Sequence, residues 1–288
     1  MDSLWEELLQ YFKDYFIDGI MYNMASTFVS VNAQVGNIST DVGKTPSEFM
    51  PTVFALVRNL SENVIMPIAG IILTFIACYE LIQLVIGHNN LANFDTWIFF
   101  KWIFKTYIAV MLVTHTFDFT MAVFDVAHHV VQQSSTIITE ETAVTLDDML
   151  HFRAILREKE VGELAGIYLQ TSIVQMLMNI LAVLIYVIVN GRMLQIYLMV
   201  SMAPIPFATF GNKEQSLMGQ NYVRSLFALG FQGFLIMVCV GVYAVLVQSV
   251  VFTDDIVGSL WTVVGYTVLL GFTLFKTDDI SKSILQAH

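Results

Sequence analysis

The chain has 288 residues and a formal net charge of −11, from 13 Lys and Arg against 24 Asp and Glu. Hydrophobic residues make up 56% and charged residues 13%, about half the charged fraction of an average soluble domain. This composition excludes a disordered chain and argues against an ordinary soluble enzyme. The acidic balance also argues against a protein that grips nucleic acid, because phosphate binding needs clustered Lys and Arg.

The first turns of the chain have the pattern of an amphipathic helix. Acidic residues stand where a secretory signal would be basic, so no signal peptide is expected. The apolar side chains that share one helical face are Leu4, Leu8, Tyr11, Phe12, Tyr15 and Phe16. We predict that this helix, within an N-terminal region 1–63, lies in the membrane interface or packs on a partner.

Long apolar runs decide the fold class. A helix that crosses a bilayer needs about 20 largely apolar residues, and these runs lack the polar stripe that a soluble core helix would show. The predicted spans are roughly 64–87, 97–117, 164–190, 193–211, 225–252 and 256–275. The expected fold is an all-α, polytopic transmembrane bundle of about six spans.

The number of spans depends on residues 164–211, where Asn190, Gly191 and Arg192 predict a turn. Five spans, with this block partly re-entrant, and seven, with 19–40 also crossing, are the alternatives. With six spans, ten Lys and Arg residues fall on the side of both termini and three on the other. The excess of basic residues on cytoplasmic loops then predicts that both termini are cytoplasmic.

Polar segments divide the chain into consecutive regions. After the N-terminal region come a first transmembrane pair (64–127), a polar charged loop (128–163), a transmembrane bundle with a proline-broken helix (164–275) and a tail (276–288). In the loop, Thr145 before two acidic residues indicates the start of a short cytoplasmic helix. Its basic residues are candidates for docking a partner: Arg153, Arg157 and Lys159.

Charged side chains in or beside the spans are the first functional candidates, because such charges usually face a bundle interior or a water-filled path. The candidates are Glu80, Lys101, Lys105, Asp118, Asp125 and Arg192. Lys101 and Lys105 share one helical face. Each either extends its ammonium group to the lipid headgroups or pairs with an acid such as Glu80, and a role in lining a conduit is compatible with both.

Two Asp and two His residues also share a face and have ligand types that suit a metal ion: His115, Asp118, Asp125 and His129. The two His residues are about 21 Å apart along one continuous helix, so no metal site is expected. The sequence also contains no nucleotide, hydrolase or thiolate motif. Cys78 and Cys239 lie in apolar runs and are expected to be inert core thiols. We expect no catalytic residue, no cofactor and no enzyme activity.

Three prolines interrupt predicted spans. Pro204 and Pro206 lie in the fourth span and Pro67 in the first. Each removes an N–H donor, which kinks or breaks the helix, and the exposed backbone is tolerated only against protein or water. Pro204 and Pro206 therefore indicate a broken helix at a pore or gate, or else a fixed kink that serves packing. Gly230 and Gly233 are candidates for close helix approach.

Several strings resemble one family. They are NLSE leading into VIMPIAGIILTFIACYELI (59–82), DTWIFFKWIFKTYIAV (95–110), FDVA (124–127), GRMLQIYLMVSMAPIPFATFGNKEQSLMGQNYVRSLFALGFQGFLIMVCVGVYAVLVQ (191–248), GYTVLLGFTLFKT (265–277) and the closing AH. The chain resembles the TrbL-type conjugal transfer proteins, in the form found in conjugative elements of Gram-positive bacteria. The longest string carries most of the specificity, and the resemblance is thinnest over 1–18 and 132–163.

The resemblance implies a channel or scaffold subunit of a type IV secretion system. Such subunits form an oligomeric core with other membrane subunits, near the secretion ATPase, and single-stranded DNA with its relaxase passes through or beside it. The family motif assigns no catalytic residue. Two other functions are open. A stand-alone solute transporter expects matched repeats, which Pro67 and Pro204 echo only faintly, and a non-conducting anchor would hold the ATPase through the polar loop.

Overall fold

The computed structural model describes residues 2–87, 96–139, 147–250 and 256–287. Over these ranges the chain is helical and contains no strand, which confirms the all-α class. The helices are α1 (Asp2–Val42), α2 (Pro46–Phe49), α3 (Pro51–Leu60), α4 (Met66–Gly87), α5 (Thr96–Thr114), α6 (Thr116–Thr139), α7 (Asp147–Glu158), α8 (Val161–Met202), α9 (Pro204–Ala208), α10 (Ser216–Gln248) and α11 (Ile256–Leu285).

Among the described residues, five helical stretches are long and apolar enough to cross a membrane. They are Pro51–Ile86, Thr96–Thr114, Val161–Met202, Ser216–Gln248 and Val257–Leu285. Much of their surface is apolar and exposed: only 11% of the most apolar stretch of Thr96–Thr114 is buried within the chain, and 17% of that of Pro51–Ile86. Such surfaces suit lipid rather than water. The prediction of a polytopic membrane protein is confirmed.

The predicted turn at Asn190, Gly191 and Arg192 is wrong, because α8 runs through it without a break. The predicted span 164–190 and the first part of the predicted span 193–211 therefore lie in one helix of 42 residues, about 63 Å long at 1.5 Å per residue. A single Gly weakens a helix by only about 1 kcal/mol, which tertiary packing overrides here. The cytoplasmic placement of both termini needs an even number of crossings, which these five helices alone do not supply.

The chain forms two compact units that interleave along the sequence. The first contains residues 1–42, 132–189 and 236–276, and the second contains 43–131, 190–235 and 277–288. The helices α6, α8, α10 and α11 contribute residues to both. The consecutive regions drawn from the sequence are a different kind of division, and their boundaries stay predictions.

In the first unit, α1 runs parallel to the beginning of α8. The Asn23 side-chain amide donates to the Thr171 hydroxyl at 3.2 Å, and the Gln175 amide donates to the Ser26 hydroxyl at 2.8 Å. Residue numbers rise together along both helices, so the two helices have the same direction. Since α1 is continuous from Asp2 to Val42, the amphipathic N-terminal turns belong to a longer helix and are not a separate element.

In the second unit, Pro67 is accommodated without a break in the span. The proline ring would clash with the carbonyl four residues earlier, at Asn63. A π-helical turn at Ser61–Ile65 relieves this crowding, and the Met66 N–H donates to the Ser61 carbonyl, five residues back. As a result, α3, the π turn and α4 form one continuous helix, Pro51–Ile86 in its candidate span.

Candidate functional site

The junction of α8 and α9 is where the structure places the two prolines of interest. Pro204 is the first residue of α9, a position where the missing N–H is one that a helix start leaves unpaired anyway. The short helix packs against α4 and α5, and Pro204 and Phe207 are buried. The prolines lie where α8 ends and a buried short helix begins. Whether this junction serves a pore or gate, or only packing, stays a prediction.

Hydrogen bonds stabilise the segment that joins α9 to α10. The Thr209 hydroxyl donates to the Pro206 carbonyl at 2.7 Å and accepts the Gly219 N–H at 3.1 Å. The carbonyl oxygen of the Asn212 side chain accepts the Glu214 N–H at 2.7 Å, and Asn212 is buried. These hydrogen bonds hold the segment between α9 and the first turns of α10 in place.

Replacing Gly219 by Ala tests this closure. An added Cβ would lie 2.8 Å from the Pro206 carbonyl oxygen and 2.8 Å from the Phe210 ring. A backbone oxygen cannot move aside cheaply, so we expect Gly219→Ala to destabilise the protein by about 1–3 kcal/mol, seen as a lower Tm in detergent. Gly265→Ala is the matched control, because no atom lies within 4 Å of its added Cβ. A wild-type Tm for Gly219→Ala would contradict the close packing of Gly219 against Pro206 and Phe210.

The helices α4 and α5 bring together two of the predicted intramembrane charges. The Lys105 ammonium group donates to the Glu80 carboxylate at 2.5 Å, and the Trp102 indole donates to the Ala77 carbonyl at 3.2 Å nearby. At 1.5 Å per residue, Glu80 lies about 10 Å inside the end of α4. Lys101 instead is exposed, with its ammonium nitrogen 5.8 Å from the centre of the Trp97 ring. The two lysines, one helical turn apart, thus have different surroundings.

Arg192 is buried, at 6% exposure, in the α8 segment that packs on α10. Its guanidinium donates to the carbonyls of Leu229 at 3.2 Å and Gly230 at 3.5 Å. A Cβ at Gly233 would lie 2.8 Å from the guanidinium, so this glycine makes room for it. Within the described ranges, no carboxylate forms an ion pair with Arg192. A buried intramembrane charge held only by backbone carbonyls is costly, and such charges mark functional residues by default.

The polar face of α6 points away from the core of the second unit. His115, Asp118, Asp125 and His129 are exposed. His128 is half-buried, and its Nδ1 atom is buried without a hydrogen-bond partner among the described residues. In those residues no three His, Cys, Asp or Glu side chains gather as a metal site would require.

The two cysteines differ from the prediction of core thiols. Cys78 is exposed on α4, and Cys239 is half-buried on α10. Each cysteine lies in an apolar run that has both outward-facing and inward-facing residues. In a membrane helix, an apolar run does not show which of its residues are buried against other helices.

The short helix predicted in the polar loop is present as α7, although Thr145 lies outside the described residues. Of its basic side chains, Arg153 donates to the Asp18 carboxylate of α1 at 2.7 Å, and Lys159 lies 3.9 Å from Glu163. Arg157 is exposed and forms no ion pair within the described ranges.

Sequence reasoning missed two tyrosines that anchor other elements to α8. The Tyr197 hydroxyl donates to the Pro46 carbonyl at 2.7 Å, and the Tyr222 hydroxyl donates to the Met199 carbonyl at 2.8 Å. A Tyr within an apolar run carries no signal of its partner. Tyr197 holds the α2 segment, in which Thr45 and Glu48 form a capping box. Hydrogen bonds from the backbone and side chain of Thr45 lower the pKa of Glu48.

The family model for TrbL/VirB6 plasmid conjugal transfer-like proteins matches residues 31–204, more than half of the chain. The chain belongs to this family. No curated protein and no solved structure matches it. The family match confirms the resemblance found in the sequence and makes this TrbL/VirB6-like protein a conjugal transfer component. The matched range contains Glu80, Lys105, Arg192 and Pro204, whereas Pro206 and α10 lie beyond it.

In this TrbL/VirB6-like protein, Arg192→Met separates a structural from a functional role for the buried guanidinium. An apolar side chain of similar volume in place of a buried charge is often neutral or stabilising. We therefore expect Tm and membrane level to be retained, while mating frequency falls roughly tenfold, the change that about 1.4 kcal/mol of lost interaction gives. Lys101→Met, at an exposed position, is the control. If Tm and transfer fall together, the role of Arg192 is structural only.

Proposed function

We propose that this protein is a membrane subunit of a conjugative type IV secretion system. In this role it supports translocation of DNA with its relaxase across the cytoplasmic membrane. The observation that carries the proposal is the family match over 31–204, in a chain with five apolar helices of membrane-crossing length. The subunit has no catalytic activity or cofactor of its own. It works in an oligomer with other membrane subunits and beside the secretion ATPase.

Polar groups inside the apolar helices support a role in passage rather than anchoring alone. The Glu80–Lys105 pair and the buried Arg192 are charges that a pure anchor does not need. The net charge of −11 also suits a route that releases a polyanion, because a strongly basic lumen would retain DNA.

For orientation, we propose that α7 lies in the cytoplasm, where its basic side chains reach the ATPase. Three apolar helices, α8, α10 and α11, follow α7. If all three cross, the C-terminus is on the outer face, whereas six spans predict two cytoplasmic termini. An impermeant thiol reagent on intact cells should label a C-terminal cysteine, and protection of that cysteine would contradict the orientation.

Docking of the ATPase is assigned to the exposed face of α7. Since Arg153 and Lys159 have acidic neighbours within the first unit, Arg157 is the basic side chain left to meet a partner. We expect Arg157→Glu to reduce co-purification of the ATPase with the full-length protein at least roughly fivefold, the size of a lost charged contact. Unchanged co-purification would remove α7 as the docking element.

The function itself is tested in mating cells. A deletion strain should lose transfer and regain it with the wild-type gene. Formaldehyde cross-linking followed by immunoprecipitation of this protein should recover the transferred strand only when relaxase and ATPase are present. Normal transfer by the deletion strain would refute the proposal, and restored transfer without DNA recovery would favour the non-conducting anchor.

A further inference from the structure

The helix α1 has a buried face that begins at Ile17. The residues of this face recur every three or four positions, as in a helix–helix seam. They are Ile17, Ile20, Met24, Phe28, Val31, Val35, Ile38 and Val42, each at most 9% exposed. Continued toward the N-terminus with the same steps, this face would reach Lys13, Gln10 and Glu6, which are polar. The side of α1 that packs within the chain therefore ends at Ile17.

The apolar side chains of the first four turns lie on a different side of α1. They are Leu4, Trp5, Leu8, Leu9, Tyr11, Phe12 and Tyr15, each at least 37% exposed, and we call them the N-terminal apolar face. Their mean direction is about 150° from that of the buried face around the helix axis. This face is thus no extension of the core. An exposed apolar surface of this kind marks an interaction site.

Contacts with α8 place most of this face outside the hydrocarbon of the membrane. The Phe16 ring lies 5.7 Å from the Tyr168 ring, and α1 runs parallel to α8. Charged residues precede Leu164, so hydrocarbon begins no earlier than Leu164, about 6 Å before Tyr168 along the axis. Leu4 lies about 18 Å before Phe16 and is therefore about 12 Å beyond that level, further than a headgroup layer of about 6 Å reaches.

The direction of α1 also excludes a helix that lies flat on the membrane. It is continuous from Asp2 to Val42 and is aligned with α8, a helix of membrane-crossing length. Its first turns therefore extend along the crossing direction and out of the bilayer. The alternative of a helix in the membrane interface, open at the level of the sequence, does not fit this geometry.

The charge of the segment favours a partner protein over lipid or a second copy of the chain. Residues 1–18 contain five acidic residues and one basic residue. The anionic lipids of the cytoplasmic leaflet repel such a segment, and a second copy would bring the same excess of negative charge. The face is also rich in aromatic side chains, which are enriched in the buried core of protein interfaces. An apolar groove with a rim of Lys and Arg complements both properties.

The position of α7 determines on which side of the membrane the face lies. The Arg153 guanidinium of α7 donates to the Asp18 carboxylate of α1 at 2.7 Å, and α7 ends at Glu158, just before α8 begins at Val161. The first turns of α1 therefore extend from the same end of the first unit as α7. The proposed function places this end in the cytoplasm.

We propose that the N-terminal apolar face of α1 docks into an apolar, basic-rimmed groove of another protein of the transfer complex, on the α7 side of the membrane. The binding mode is helix-in-groove, in which side chains at i, i+4, i+7 and i+11 are the anchors. Here the anchors are Leu4, Leu8, Tyr11 and Tyr15. The inference deepens the proposed function and rests on it for the complex and for the cytoplasmic side.

Site-specific photocross-linking of the full-length protein, in cells that carry the whole transfer system, tests the docking. The photoreactive residue p-benzoylphenylalanine replaces Leu8 or, as the matched control, Glu6, which is exposed about 160° away around the axis. We expect a protein adduct from position 8 and none above background from position 6. Mass spectrometry should identify one protein encoded beside this chain, linked through an apolar segment bordered by Lys or Arg.

Two variants test the anchor and the charge separately, with the photoreactive residue at Tyr11. Leu8→Asp should reduce the adduct yield at least about tenfold, as loss of an interface anchor does. Glu7→Lys should also reduce it, because the new charge meets the basic rim. Both positions are exposed, so Tm and membrane level should stay at the wild-type values.

Four results would overturn the inference. An adduct of twice the chain mass would put a second copy on this face, and adducts with phospholipid alone would put the face in the membrane interface. Equal adducts from positions 8 and 6 would show that no face is preferred, and no adduct from position 8 would show that nothing covers it. Gene-dependent transfer in mating assays without a position-8 adduct would refute the docking alone, so its failure and that of the proposed function are distinguishable.

Discussion

The double variant Pro204→Ala/Pro206→Ala is expected to lose most DNA transfer while the protein still inserts. Proline disfavours a continuous helix by about 3 kcal/mol, and its removal restores N–H donors at both positions. The N–H of residue 204 then becomes available to the Val200 carbonyl, which in the present structure accepts the Ala203 N–H at 3.2 Å. The helix α8 would continue through the junction and draw Phe207 away from α4 and α5.

The size of this effect follows from the proline penalty. A change of about 3 kcal/mol shifts the ratio of broken to continuous helix by about 100-fold, and we expect mating frequency to fall by a similar factor. Immunoblots of membrane fractions measure insertion, and tryptic cleavage at Lys213 reports the new position of the junction. Pro51→Ala is the matched control, because Pro51 begins α3 at an exposed position. Wild-type transfer by the double variant would remove this junction from the functional site.

Breaking the Glu80–Lys105 pair is expected to have the largest effect on stability. Glu80→Gln leaves an ammonium group, and Lys105→Met leaves a carboxylate, without its partner at 2.5 Å. Removing one member of a fully buried pair costs about 3 kcal/mol or more, and this partly exposed pair approaches that value where lipid rather than water covers it. Each single variant should therefore show a lower Tm in nanodiscs and a reduced membrane level.

The double variant Glu80→Gln/Lys105→Met distinguishes the pair from its parts. With both charges removed, Tm should return toward the wild-type value, because no unpaired charge remains. Lys101→Met controls for general loss of basic residues, since Lys101 is exposed above Trp97, and it should change Tm little. A double variant as unstable as the sum of the single variants would show that the two charges act independently.

The physical properties of the bilayer explain why the fold class could be predicted from the sequence. A run such as 225–252 has no charged residue and must be helical in lipid to pair its own backbone groups, whatever its neighbours are. The short helix α7 was likewise predictable from residues near in sequence, because N-capping and helix-dipole effects act within one turn. The family match over 31–204 adds the function class that physics alone leaves open.

The site was less predictable, because its sequence patterns are local whereas its geometry depends on contacts between distant residues. Asn190, Gly191 and Arg192 have turn composition, but α8 stays helical where Arg192 meets the α10 carbonyls. Lys101 and Lys105 are equivalent in the sequence, and only the position of Glu80 on α4 separates them. No property of a single helix determines which of its charged residues meets a counter-ion on another helix.

By itself, therefore, the amino-acid order determined that this protein is a set of apolar helices and which charged or kinked positions stand out within them. The tertiary structure decided that one long α8 replaces two spans, that Pro204 starts a buried helix, and that α6 presents an acidic face. The reason is that hydropathy over about 20 residues suffices to place a helix in lipid. Whether a helix is continuous, which charged residues pair and which side of a helix is buried depend instead on contacts between residues far apart in the chain.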